Sequence, residues 1–206
     1  MLQEQAIPDT TLKLLKELTV LDFLHDFRLV GGTALALYWG HRISVDIDLF
    51  TDKKTDLLFI EGKLNETAGS EFISRSPIAL FYSIESVKCD FLIYPYPYNY
   101  PPVTENNLRI AALDDIVTMK LGAITNRGAK KDFVDLFYIL QHYEIQKLCD
   151  LYMSKYKTKD LFALFRSLTF FNDAEPQEMP EVLIDKKLKW ATVMKEIEKK
   201  VKAYIG

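Results

Sequence analysis

Asp46-Ile47-Asp48 carries the most pointed chemistry in the sequence. On a strand, alternate side chains share a face, so Asp46 and Asp48 project together while Val45, Ile47 and Leu49 project the other way. Two carboxylates side by side on an apolar strand are costly unless a positive charge sits between them. Mg²⁺, with Mn²⁺ as a substitute, suits such a site because it takes hard oxygen ligands and is commonly shared with substrate phosphates. Gly31-Gly32 lies upstream, with Gly32 14 positions before Asp46. Glycines there let backbone N–H groups approach a phosphate. Thr33 reads as the cap of a short helix and a phosphate contact, with capping the safer role. Asp90, in the middle of the apolar run 87–93, offers a third carboxylate; its plainer reading is an exposed Asp on an edge strand. Together Asp46, Asp48 and Asp90 predict a metal-dependent phosphoryl- or nucleotidyl-transfer site, where positioning and charge neutralisation do most of the catalysis.

The cations divide into two groups. Arg42 follows the glycine turn and can pair with a phosphate or orient Asp46 or Asp48, and Ser44 can hydrogen-bond the same loop. Lys120 lies in a helical stretch, while Arg127, Lys130 and Lys131 cluster at a loop and the start of the next helix. They read either as triphosphate ligands or as a solvated basic loop. Asp132 and Asp135 fall in the first turn of that next helix, where the dipole alone favours carboxylates. Asp135 is set among Phe133, Val134, Leu136 and Phe137, which predicts partial burial against Lys or Arg.

These residues need elements to hold them. Apolar spacing predicts helices over 9–24, 33–39 and 56–67, with Gly40 as the stop of the second. Strands are expected at 27–30 and 45–50, then an antiparallel meander of 71–75, 78–84 and 87–94. The Pro/Tyr-rich stretch 95–103 breaks regular structure and packs across a boundary more readily than it stacks a base. Beyond it the pattern is helical: 113–125, 131–143, 144–156, 160–170 and 185–204. Phe162, Phe165, Phe170 and Phe171 are expected in the helical core. The layout is α+β: a mixed sheet with flanking helices over residues 1–100, then a C-terminal helical bundle over 101–206.

Composition narrows the function further. A net charge of −3 argues against whole-surface affinity for nucleic acid, leaving room only for local basic patches. No apolar run approaches a membrane span, and residues 1–10 lack the basic and apolar regions of a signal peptide. Cys89 and Cys149 have no metal-ligand spacing and read as buried thiols. A cytoplasmic location is the expectation.

Leu29-Val30-Gly31-Gly32-Thr33-Ala34-Leu35-Ala36-Leu37, followed by Gly40-His41-Arg42-Ile43-Ser44-Val45-Asp46-Ile47-Asp48-Leu49-Phe50, resembles the AbiEii-type toxin nucleotidyltransferases of the polymerase-β-like superfamily. The segment from Lys120 through Arg127-Gly128-Ala129-Lys130-Lys131-Asp132-Phe133-Val134-Asp135-Leu136 is similar to that family's helical motif. The resemblance spans roughly residue 27 to the C-terminus. It implies a nucleoside triphosphate substrate, Mg²⁺, an acceptor such as tRNA, and a cognate antitoxin. It further implies that Asp46, Asp48, Asp90, Lys120 and Asp132 are catalytic. Gly31, Gly32, Thr33, Arg42, Ser44, Arg127, Lys130, Lys131 and Asp135 would bind the nucleotide. The chain is compact beside longer members of the family. Rival readings are a protein or small-molecule acceptor, or a nucleotide- or partner-binding module without turnover.

Overall fold

The computed structural model describes all 206 residues. The chain forms two compact units: Met1–Gly40 with Ser44–Ala112, and His41–Ile43 with Leu113–Gly206. The fold is α+β, with a mixed seven-stranded sheet in the first unit and helices in the second.

The first unit begins with α1 (Asp9–Thr19), β1 (Arg28–Leu29), α2 (Gly31–Trp39), β2 (Ile47–Thr51) and α3 (Leu57–Asn65). The meander β3 (Ser70–Ser76), β4 (Ala79–Ile84) and β5 (Val87–Ile93) follows, then a small hairpin of β6 (Val103–Glu105) and β7 (Leu108–Ile110). The strand order is β3-β4-β5-β2-β1-β7-β6. β2 is the middle strand, antiparallel to β1 and parallel to β5. Ile47, Leu49, Cys89, Phe91, Leu80 and Tyr82 form the buried face beneath these central strands. The opposite face carries Asp48 and Asp90.

Several boundaries differ from the spacing, each for a local reason. α1 stops at Thr19, whose hydroxyl donates back to the Leu15 carbonyl at 2.9 Å, and a separate 3₁₀ turn covers Asp22–Leu24. β2 starts at Ile47 rather than at residue 45, because the preceding backbone is held by loop partners. The Ser44 N–H donates to Ala6 O at 3.0 Å, and the Asp46 carbonyl accepts the Thr33 hydroxyl. Val45, expected on the buried face, is 52% exposed as a result. Gly40 does close α2, at φ 63° with its N–H on Ala36 O.

The β6–β7 hairpin falls where only irregular chain and helix were expected. Its turn residues Asn106 and Asn107 both take positive φ, 53° and 64°, as a two-residue hairpin turn demands. The Tyr/Pro loop packs on the sheet: the Tyr98 hydroxyl donates to Phe50 O at 3.1 Å, and the Arg28 guanidinium lies 4.1 Å from the Tyr98 ring centre.

The second unit comprises α4 (Leu113–Arg127), α5 (Lys130–His142), α6 (Ile145–Tyr156), α7 (Phe162–Leu168) and α8 (Trp190–Ile205). The last helix begins five residues later than its spacing suggests, because Asp185 first closes a turn with the Leu188 and Lys187 N–H groups. Of the four phenylalanines expected in the helical core, Phe171 is buried against Phe133 and Trp190. Phe162 and Phe170 are instead exposed, since the short α7 inserts Leu164 and Leu168.

Candidate active site

The carboxylate site is built on the parallel pairing of β2 with β5. Asp48 and Asp90 are direct register partners, so the two side chains stand on adjacent strands, on the same face and at the same level. Asp90 is therefore on an interior strand, flanked by β2 and β4, and not at a sheet edge. Asp46 lies one residue before β2. Thr33 fixes its backbone through the hydroxyl-to-carbonyl hydrogen bond, and the Thr33 hydroxyl also lies 2.9 Å from that of Ser44. Thr33 does not cap α2: Val30 is the N-cap residue and offers no side-chain hydrogen bond. The threonine sits inside the first turn, where its hydroxyl points across to the Ser44–Asp46 loop.

Gly31 begins α2 at φ 71° and packs directly against Asp48. A Cβ at this position would overlap Oδ2 and lie 2.9 Å from Cγ of Asp48. The Val30 N–H donates to Asp48 O at 2.9 Å, which locks the turn to β2. Glycine thus serves both the left-handed backbone and the close approach of the carboxylate.

One residue of this site has no counterpart in the sequence reading. Lys88 Nζ donates to Asp90 Oδ2 at 2.9 Å. Burial works against the Lys88 charge, but the hydrogen bond to Asp90 and the charges of Asp90, Asp48 and Asp46 outweigh it and raise its pKa. The Cys89 thiol is pushed up to about 12, first by burial and then by the same three carboxylates. The alternation Lys88-Cys89-Asp90 was the available signal: a lysine two residues from a strand Asp must share its face.

The donor set suits a hard divalent cation. Asp90 Oδ1 is enclosed and has no hydrogen-bond partner, a costly arrangement that a positive ion would relieve. No three His, Cys, Asp or Glu groups are drawn together closely enough to form a metal cluster outright. Asp48 and Asp90 would be the strand-paired ligands of such an ion, with Asp46 as their neighbour.

The second unit holds a separate buried ion network. Asp135 accepts both sides of the Arg42 guanidinium, Nε at 2.6 Å and Nη2 at 3.0 Å, and lies 2.8 Å from His41 Nε2. Lys120 Nζ bridges Asp135 Oδ2 at 2.7 Å and Asp132 Oδ1 at 2.8 Å. Arg127 reaches Asp132 at 3.1 Å with its side chain 60% exposed. Both aspartates are completely buried. Burial would raise their pKa values, but Arg42 and Lys120 at Asp135, and Lys120 and Arg127 at Asp132, hold both carboxyls below the usual range. Burial lowers the His41 pKa against the pull of Asp135, and Nε2–H donates to that carboxylate.

Arg42 therefore orients Asp135, whereas the sequence reading had it pairing with a phosphate, Asp46 or Asp48. Lys130 departs from a loop cation as well. It is buried, with Nζ donating to Glu175 O at 2.9 Å and lying 5.0 Å from the Trp190 ring centre. Lys131 is exposed.

A mixed sheet thus sets a strand-borne aspartate pair against a glycine-started helix. Residues 13–203 match the family described as Nucleotidyl transferase AbiEii toxin, Type IV TA system, and the chain belongs to that family. It is 34% identical over 197 residues to an uncharacterized protein of Aquifex aeolicus (strain VF5), covering 93% of this chain and 94% of the relative. Its fold is similar to that of MenT4, nucleotidyltransferase toxin Rv2826c from Mycobacterium tuberculosis H37Rv. That match has a TM-score of 0.55 and 16% identity, over 91% of this chain and 82% of the other. No helix is long and apolar enough to cross a membrane.

Proposed function

We propose that this nucleotidyltransferase moves a nucleoside monophosphate from a triphosphate to an RNA acceptor such as a tRNA, with Mg²⁺ held by Asp46, Asp48 and Asp90, as the toxin of a cytoplasmic toxin–antitoxin pair. The observation that carries the metal site is the side-by-side register of Asp48 and Asp90 together with the enclosed, unpartnered Oδ1 of Asp90. Divalent metal there would neutralise phosphate charge and lower the pKa of an attacking hydroxyl.

The chain's own residues supply the remainder. The first turn of α2, opened by Gly31 and Gly32 and lacking a side-chain cap, directs N–H groups to a phosphate. Thr33 and Ser44 hold the loop that presents Asp46. Asp90 receives the proton of the acceptor hydroxyl. The acceptor oxygen bonds to the α-phosphorus, the bond to the bridging oxygen breaks, and pyrophosphate leaves.

Lys120, Arg127 and Lys131 enter from the family resemblance as cations for the triphosphate, and Asp132 as a required carboxylate. Arg127 and Lys131 are the exposed members. Lys120, enclosed between two carboxylates, and Arg42, forked onto Asp135, act by holding that cluster in one geometry.

The net charge of −3 supports one alternative, a protein or small-molecule acceptor in place of a large RNA. Incubation with each α-labelled nucleoside triphosphate, Mg²⁺, total RNA and total protein separates the two. RNA label that disappears with Asp48→Asn supports the first reading. Label confined to protein or to a small product replaces it with the second.

A further inference from the structure

We infer that Lys88 is the protein's own cation for the carboxylate site, held on Asp90 until a divalent ion displaces it, so that this lysine sets how much metal the site requires. The inference rests on the metal-dependent reading above.

Lys88 and Asp90 are two residues apart on β5, so both project from the face that carries Asp48. The Asp90 carboxylate is divided between two environments. Oδ2 holds the Lys88 ammonium at 2.9 Å, while Oδ1 is enclosed without a partner. The exposures are equally unequal: the Asp90 side chain is 15% exposed and that of Lys88 is 55% exposed. The carboxylate is fixed in the sheet, whereas the ammonium rides on a flexible stem at the surface and can swing into water at little cost.

A crowded pair of strand aspartates needs positive charge. Lys88 supplies one unit of it and a divalent ion would supply two. A metal ion drawn to Oδ1 and the ammonium on Oδ2 would share one carboxylate and repel each other across it. The flexible ammonium gives way, so the strength of the Lys88–Asp90 pair is subtracted from metal affinity. For a half-exposed pair this amounts to roughly a three- to fivefold weakening. An ordinary surface ion pair, by contrast, would leave metal affinity untouched when removed.

The test is direct Mn²⁺ binding to the full chain without nucleotide, followed by electron paramagnetic resonance of the free ion. Wild type is compared with Lys88→Gln, Lys88→Arg, Asp48→Asn and Lys54→Gln, an exposed lysine of the same unit. The expected result is roughly three- to fivefold tighter binding for Lys88→Gln. Near-wild-type affinity is expected for Lys88→Arg and Lys54→Gln, and loss of binding for Asp48→Asn. Unchanged or weaker binding by Lys88→Gln, with Asp48→Asn still abolishing it, would overturn the role of Lys88 and leave the metal site standing. Equal tightening by Lys54→Gln would reduce the effect to net charge and also overturn it. Absence of Mn²⁺ binding in the wild type would remove the metal site itself, and this inference with it.

Discussion

Gly31 stands so close to Asp48 that any side chain at position 31 would occupy the space of the carboxylate, with its Cβ 2.9 Å from Asp48 Cγ. The turn that starts α2 and the carboxylate on β2 are thus one mechanical unit. Gly31→Ala should suffer twice. A left-handed φ of 71° costs a non-glycine residue about 1–2 kcal/mol, read as a lower urea midpoint. Displacement of Asp48 by even an ångström should lower transfer by about 100-fold. A variant with wild-type stability and full transfer would show that the contact is unimportant.

The paired aspartates make the opposite prediction for stability. Asp48→Asn removes a negative charge from a crowded face and should not lower the melting temperature in metal-free buffer, while Asp90→Asn offsets the same relief against loss of the Lys88 pair and should change it little. Both should nevertheless lose at least about 100-fold in transfer rate, because metal stabilisation is worth several kcal/mol. Calorimetry beside a labelled-nucleotide assay checks both halves. A variant that melts early and also loses activity would mark the aspartates as structural.

What the sequence disclosed follows from how local each signal is. The place of Asp48 on β2 and the turn at Gly31-Gly32 were legible because period-two alternation and a glycine turn are short-range facts, whereas Asp46 falls before the strand, where the alternation does not reach. The meander and the stop at Gly40 were legible for the same reason. The parallel register that sets Asp48 beside Asp90 belongs to two strands separated by a helix and a hairpin, and no local pattern encodes it. The fork of Arg42 onto Asp135 spans 93 positions, so the spacing suggested nearby aspartates instead. The β6–β7 hairpin was missed because three-residue strands are too short to show alternation, although Asn106-Asn107 is a hairpin signal in hindsight. Lys88 was missed because an isolated strand lysine ordinarily means a solvated face.

The buried network should make the protein acid-sensitive in two stages. His41 has its pKa lowered from 6.5 in the fold, so the unfolded chain takes up that proton first. The associated stability is present above pH 6.5 and is lost as pH falls below it. Asp135 and Asp132 are held below 3.8, so their contribution is present above pH 3.8 and is lost as pH drops through their depressed values. Melting temperature measured from pH 8 to pH 2.5 should therefore decline shallowly, then steeply. His41→Gln should remove the shallow stage. Asp135→Asn should flatten the steep stage and cost about 3–5 kcal/mol at neutral pH, since Arg42 and Lys120 would be left buried without their shared carboxylate. A pH profile for Asp135→Asn parallel to wild type would refute the assignment.

Asp115 and Lys155 form a second enclosed pair in the helical unit, 2.8 Å apart with both side chains inaccessible to solvent. It joins the first turn of α4 to the end of α6. Such a pair loses its hydration on folding and recovers only part of it from the partner, so its net worth is small while the cost of halving it is large. Lys155→Met alone should destabilise by about 3–5 kcal/mol, because Asp115 would remain buried without its partner. Asp115→Leu combined with Lys155→Met should recover most of that loss and leave nucleotide transfer at the wild-type rate. Urea denaturation of the two single variants and the double variant gives the coupling between the positions. If the double variant were as unstable as the sum of the singles, the coupling would be zero, neither charge would be compensating the other, and the desolvation argument would be wrong.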